Sequence, residues 1–299
     1  MKIETQVLLK AWTSWQIGGP AEFFCLPETK EDLVEAIKWA RQNKKEFTVL
    51  GGGSNVLVSD KGCPGLVIGL NKFSKLNLFN DGKNLHIECL AGTGKNEILK
   101  VLLKHRNPAA LFLAGIPGDA GGGVVMNAGV SEKIQPQEFG DIVSSFEVLK
   151  VDGDSFSFKV FQHDDVQWGY RHSKGWQPGI ISQVNITVPF VQDETLVARV
   201  REANLLRLSK QPLDFPSCGS VFMNPSGYKA AQLIEKCGLK GRRKGDAQVS
   251  PKHANFIVNL GEASARETWS LILEVQKEVF EKTGVQLHTE VVKMGEFDL

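Results

Sequence analysis

The sequence predicts an α+β protein of more than one domain. Helical and strand periodicities alternate along the chain, no repeat of fixed period or low-complexity tract interrupts them, and 299 residues are ample for two or three cores. Hydrophobic residues make up 42% and charged residues 23%, the composition of an ordinary globular protein.

The formal net charge is +1, so no global field points to nucleic acid as a partner. The opening MKIETQVLLKAWTSW is polar and acidic early and lacks the apolar block of a signal peptide. No stretch approaches the ~18 uninterrupted apolar residues of a membrane helix. The expectation is a cytoplasmic protein that binds neither membrane nor nucleic acid. Five scattered cysteines, never in a CxxC pair, read as reduced and mostly buried thiols. The six histidines show no metal spacing, and His253 reads as structural.

Thr29 caps a helix running to about Asn43, with Asp32 completing a capping box and Leu33, Ile37 and Ala40 forming its buried stripe. Phe47 to Leu50 is a short strand running into GGGSN at 51–55, and Val56 to Val58 resumes a strand. Leu85, Ile87 and Cys89 alternate with polar residues, a half-buried strand over 85–90. Asn96 to His105 reads as a helix. Ile142 to Lys150 and Ser155 to Phe161 flank a turn at Asp152-Gly153, the pattern of a hairpin, and Ile180 to Val188 alternates again before Pro189.

The charged QDET at 192–195 marks a boundary, giving parts of about 1–190 and 195–299. Beyond it come a helix near 195–209, a loop to Gly227, and a helix from Tyr228 closed by Gly238. Phe256 to Asn259 is a strand, a long helix runs from Ser264 to Gly284, and Val285 to Met294 is a last strand. That strand's alternation puts Glu290 on the face of His288 and Val292, opposite Leu287 and Val291.

Two glycine-rich segments are candidate phosphate binders. In GGGSN, glycine lets backbone N–H groups turn toward phosphate oxygens, and Ser54 and Asn55 add side-chain donors. No GxGxxG opens a helix there and no GK[ST] closes the loop, so it is neither a Rossmann turn nor a P-loop. A tight strand-to-strand turn is the plain alternative. The second segment, LFLAGIPGDAGGGVVMNAG at 111–129, holds six glycines in apolar sequence. A ligand passing close to the main chain would account for them, and a buried irregular crossover is the alternative. Asp119 is awkward beside an anion, so only backbone contacts are expected there.

In order, TSWQIGGPAEFF, VLGGGSNVLVSD, AGIPGDAGGGVVMNAG, WGYRHS, KQPLDFPSCGSVFMNP, LIEKCGLKG, VSPKHANFIVN and VQLHTEVVKMG occur between Thr13 and Gly295. This series resembles UDP-N-acetylenolpyruvoylglucosamine reductases. The resemblance implies an FAD-binding part of the vanillyl-alcohol-oxidase (PCMH) type over 1–190, with subdomains of about 1–70 and 71–190. A C-terminal α+β substrate-binding domain over 195–299 follows. By the same resemblance Gly51, Gly52, Gly53, Ser54 and Asn55 bind the FAD diphosphate, while Gly115, Ile116, Pro117, Gly118, Gly122 and Asn127 line the flavin. GGGSN offers no His or Cys for a covalent link, so the FAD is expected to be non-covalent, with NADPH as hydride donor.

The resemblance further implies catalysis by Arg171, Ser220 and Glu290 on a small-molecule UDP-sugar carrying an enolpyruvyl group. Arg171 would pair with the substrate carboxylate as charge builds there, Glu290 would share that role through a protonated carboxyl, and Ser220 would protonate the adjacent carbon. Without the resemblance these residues read as a packing pair, a turn and a solvated strand position. Tyr170, Arg207, Lys210 and Asn224 fall where the family contacts its sugar nucleotide; the plain reading of Arg207 and Lys210 is the polar end of a helix. The run Arg242, Arg243, Lys244 reads as a solvated loop. The two tyrosines, Tyr170 and Tyr228, lie in no insert, matching the branch without an inserted tyrosine loop. Cys218, Met223 and Lys293 depart from the family's usual alanine, lysine and arginine. Two rival functions are a flavin-dependent alcohol oxidase of the same superfamily and a non-catalytic sugar-nucleotide binder.

Overall fold

A computed structural model describes residues 1–130, 134–153 and 155–297. Strands β1 (Ile3–Leu8) and β2 (Pro20–Cys25) precede helix α1 (Lys30–Gln42). Then come β3 (Phe47–Leu50), β4 (Val56–Val58), β5 (Cys63–Gly69), β6 (Leu76–Asn80) and β7 (Asn84–Leu90). Helices α2 (Lys95–Lys104), α3 (Ala110–Ala114) and α4 (Ala120–Val125) lead to β8 (Val143–Asp152) and β9 (Ser155–Gln162). The small hairpin β10 (Gln167–Gly169) and β11 (His172–Lys174) precedes β12 (Ile180–Pro189) and α5 (Leu196–Lys210). The chain closes with α6 (Ala230–Lys236), β13 (Arg243–Lys244), β14 (Ala247–Val249), β15 (Ile257–Asn259), α7 (Ala265–Thr283) and β16 (Val292–Met294).

Two compact units result. The first comprises Met1–Lys2, Cys25–Gly52 and Ile68–Arg207; the second comprises Ile3–Phe24, Gly53–Val67 and the chain from Leu208 onward. A single cut at 190–195 is therefore not where the contacts divide. Trp15, Ile17 and Leu57 share a core with the C-terminal residues, and α5 through Arg207 remains with the first unit.

The first unit is built on an antiparallel sheet of order β6-β7-β12-β8-β9. Its register pairs Ile186 with Ile87 and Val184 with both Cys89 and Phe146, so alternate apolar residues fall on one buried face. Helix α4 packs against β12 and β7. α1 begins as its sequence dictates: the Thr29 hydroxyl accepts from Asp32 N, and Asp32 Oδ2 accepts from Thr29 N, both at 3.1 Å. Such a cap stabilises a helix by about 1 kcal/mol. Leu33, Ile37 and Ala40 are fully buried beneath it.

In the second unit β2 lies between β1 and β5, β16 pairs in parallel with β4, and β13-β14-β15 forms a small antiparallel sheet. Trp15 is fully buried; its Nε1 donates to Ile257 O (2.8 Å), and Asn259 Nδ2 donates back to Trp15 O (3.1 Å). α7 starts with a Ser264–Glu267 capping box. Asp60 adds to it by accepting from Ala265 N (2.7 Å) and Arg266 N (2.9 Å), placing negative charge at the helix N-terminus where the dipole favours it. Gly284 ends the helix at φ +72°.

Two expectations need correction, and one alternative falls away. The last strand spans only Val292–Met294; upstream of it, residues 288–290 bond instead to 221–223. The run 242–244 is largely exposed, as expected, but is not all loop: Arg243–Lys244 forms β13, and Arg242 (2.8 Å) and Lys244 (3.0 Å) both pair with Glu274 on α7. The segment 111–129 is no irregular crossover, since it contains the short helix α4 and most of α3. All five cysteines are buried and free. Among the described residues no helix is long and apolar enough to cross a membrane.

Candidate functional site

The loop 51–55 joins β3 to β4. Gly52 N–H is already engaged, donating to Asp119 Oδ2 at 2.5 Å. Gly53 sits at φ +64°, where a Cβ would come within 2.0 Å of Trp12 O, so no other residue fits. Gly53 is buried, yet its N–H has no protein acceptor among the described residues, and neither do the N–H and hydroxyl of Ser54. Three consecutive donors without protein partners suit diphosphate oxygens, so this loop fits the anionic part of FAD. Asn55 is used differently. Its Nδ2 donates to Glu290 O and its own carbonyl accepts from Val292 N, both at 3.0 Å.

In the second segment the donors are spent internally. Ala120 N donates to Thr93 O, Gly121 N to Ala91 O, and Gly123 N to Asp119 O. Gly122 N donates to Asp119 Oδ1 (2.7 Å), so Asp119 caps α4 while holding Gly52 with its other oxygen. Burial pushes the Asp119 carboxyl above the usual range, partly offset by its bonds from Gly122 and Gly52. Close packing explains part of the glycine content: a Cβ on Gly123 would lie 2.3 Å from the Phe139 ring, and one on Gly121 2.9 Å from Ala91 Cβ. Asn127, expected to line the flavin, is 0% exposed with its carboxamide committed to Glu138, Gly169 and Gly140, which leaves its side chain no surface for a ligand.

Lys95 was not singled out by the sequence. Its Nζ donates to Leu113 O (3.2 Å) and its amide to Gly118 O (3.0 Å), and Arg207 Nη1 donates to the next carbonyl, Ala114 O (2.9 Å). Burial, and then the Arg207 charge, pull the Lys95 ammonium down to about 8. A lysine in a helix's first turn, contacting carbonyls 18 residues on, leaves no mark in local periodicity.

Arg171 occupies the two-residue turn of the β10–β11 hairpin, where Gly169 pairs with His172. Its φ is +62°, a left-handed conformation costing a non-glycine residue about 1–2 kcal/mol. Backbone strain of this kind concentrates at functional positions. The guanidinium lies 4.9 Å from the ring centroid of half-exposed Tyr170 and donates to Gly129 O at 3.0 Å.

Ser220 and Glu290 belong to the second unit, on neighbouring segments. Glu290 N donates to Val221 O (2.8 Å), Met223 N donates to His288 O (2.9 Å), and Phe222 bridges Thr289. Asn255 locks the 221–222 side: Val221 N donates to its carbonyl, while its carboxamide exchanges bonds with Phe222 N and O (3.0 and 2.8 Å). The half-buried Ser220 hydroxyl has no hydrogen-bond partner among the described residues. Cys218 is buried; burial, and then the Glu290 charge, push its thiol well up. Asn224 Oδ1 accepts from Ala230 N (3.0 Å) at the start of α6, and Lys210 ends α5 exposed. Lys293 is directed elsewhere, its ammonium 4.4 Å over the Trp269 ring.

Residues 21–158 match a family model described as an FAD binding domain, which places this chain with FAD-binding proteins. Residues 211–294 match a second model, UDP-N-acetylenolpyruvoylglucosamine reductase, C-terminal domain. Reductases of that name from Trichormus variabilis and Caldanaerobacter subterraneus are each 38% identical to the chain. The matches cover 99% and 96% of this chain and 87% and 92% of theirs. The crystal structure of the reductase from Thermus caldophilus superposes with a TM-score of 0.79 at 32% identity, covering 98% of this chain and 99% of that one. The chain belongs to the UDP-N-acetylenolpyruvoylglucosamine reductase family.

Proposed function

We propose that this protein uses NADPH to reduce the enolpyruvyl group of a UDP-N-acetylglucosamine derivative, giving UDP-N-acetylmuramate for peptidoglycan synthesis. Bound FAD supplies the two-electron carrier between NADPH and the alkene. The N–H groups of Gly53 and Ser54, with the Ser54 hydroxyl, would hold its diphosphate without a covalent link. Gly115, Ile116, Pro117, Gly118 and Gly122 would offer main-chain surface to the ring system.

An enol ether is a poor hydride acceptor because its double bond is electron-rich. Arg171 addresses this by pairing with the attached carboxylate and stabilising the enolate charge that develops as hydride reaches the methylene carbon. Glu290, as a protonated carboxyl, donates a second hydrogen bond to that carboxylate. Ser220 gives its proton to the adjacent carbon, completing the addition of H⁻ and H⁺ across the double bond. Arg207 and Lys210 bind the sugar-nucleotide diphosphate, with Tyr170 and Asn224 along the rest of the ligand.

The observation that best supports this reading is the pairing of 221–223 with 288–290, which brings the segment of the Ser220 hydroxyl, uncommitted among the described residues, beside the segment that carries Glu290. The test is the spectrum of the purified protein under anaerobic conditions. A flavin band should bleach with NADPH and return when the enolpyruvyl UDP-sugar is added. Colourless protein able to bind the nucleotide, or reduction by an alcohol with oxygen uptake and no need for NADPH, would overturn it.

A further inference from the structure

The second glycine-rich segment ends in an asparagine whose side chain reaches the Arg171 hairpin. Asn127 closes α4, its N–H donating to Val124 O at 3.1 Å, and adopts φ +39°, a conformation asparagine tolerates better than most residues. Its Nδ2 donates to Glu138 Oε1 (2.7 Å) and Gly169 O (3.1 Å), and its Oδ1 accepts from Gly140 N (2.8 Å). Gly169 is the first residue of the turn carrying Tyr170 and Arg171. Two residues beyond Asn127, Gly129 O accepts from the Arg171 guanidinium. Residues 127 and 129 thus hold the turn at both ends, one through its backbone and one through the tip of its functional side chain.

We propose that Asn127 is a positioning residue for Arg171, fixing the turn that aims the guanidinium at the substrate carboxylate. This rests on the role given to Arg171 above. The need for such a clamp follows from the turn itself. Arg171 sits at a strained φ on a two-residue loop between three-residue strands, and the loop would otherwise relax toward conformations an arginine prefers. A carboxamide suits the task because it supplies two donors and an acceptor in one plane, enough to join three backbone or side-chain groups.

The test compares wild type, Asn127→Gly, Arg171→Ala and the double variant, each loaded with FAD. Glycine accepts φ +39°, so the first variant removes the carboxamide and spares the backbone. Asn127→Gly should slow flavin reoxidation by the enolpyruvyl substrate by about 10- to 100-fold, the effect of a misplacement near 1 Å. That loss should exceed any change in flavin reduction by NADPH at least about 10-fold. In the Arg171→Ala background the same substitution should cost less than about 2-fold, because the residue it positions is gone. Amide exchange of the 167–174 peptide, measured without cofactor, should accelerate in Asn127→Gly. An equal loss with and without Arg171, unchanged reoxidation, or unchanged exchange would overturn the proposal. If Asn127→Gly does not fold, Glu138→Ala, which releases one of the three carboxamide bonds, should show the same pattern at about 3- to 10-fold, and its absence would be equally fatal. Failure of the functional reading is separately visible: wild-type reduced protein would not be reoxidised by the substrate at all.

Discussion

The two glycine-rich segments share a composition and differ in how they use it. In 51–55 the glycines free the main chain, leaving Gly53 and Ser54 with donors that no protein atom among the described residues accepts. In 115–129 they close distances: α4 lies against Ala91 and Phe139, and its leading N–H groups are consumed by Thr93, Ala91 and Asp119. Glycine richness is therefore not one signal. The accounting of N–H groups separates a loop built to receive an anion from a helix built to pack.

The strongest test of that contrast is Gly123→Ala. Its Cβ would meet the Phe139 ring at 2.3 Å, so the variant should lose about 3 kcal/mol in denaturant unfolding. FAD affinity of the folded fraction should change little. Ser54→Ala should do the reverse. Losing a charge-assisted bond worth about 1.5–3 kcal/mol should weaken FAD binding at least about 10-fold in equilibrium titration, leaving the melting temperature of the cofactor-free protein in place. If both variants fail in the same assay, the contrast collapses.

A smaller effect concerns Asp119, whose carboxyl is raised in the fold. The penalty for its charge is absent below the unfolded carboxylate range and complete above the raised folded value. Asp119→Asn should therefore gain on wild type as pH rises through that window, measured by urea midpoints, although its single carbonyl oxygen can keep only one of the bonds from Gly122 and Gly52. The smallest effect belongs to Lys95→Met. The folded pKa lies near 8 against an ordinary 10.5, so the unfolded chain holds the proton more tightly between those values. Wild type should gain stability relative to the variant as pH climbs from about 8 to about 10.5. A flat difference would mean that Lys95 reaches water more freely than its contacts with Leu113 and Gly118 suggest.

Local chemistry was legible in the sequence. The Thr29 cap, the Gly284 stop, the alternation at Leu85, Ile87 and Cys89, and the 143–162 hairpin each depend on residues within a few positions of one another, and each formed where expected. What escaped depends on distant partners. The strand expected over 285–291 shortened because its residues pair with 221–223 through scattered bonds, not a ladder. The ion pairs of Arg242 and Lys244 left no local sign because the carboxylate that binds both, Glu274, lies about thirty residues on. Asn127 sat inside a ligand-binding motif, and only burial shows that its carboxamide faces inward. Asn255 carried no signal beyond its motif, although it locks the segment beside Ser220.

Trp15 and Ile17 complete a core whose other walls come from the far end of the chain. During synthesis this early segment therefore waits, its indole uncovered, until nearly the whole polypeptide has left the ribosome. A fragment beginning at the boundary suggested by QDET would lack the indole that fills its centre and the Asp60 that caps its longest helix. The second unit can be dissected only by joining pieces from both ends, and expression trials of the C-terminal stretch alone should yield aggregates.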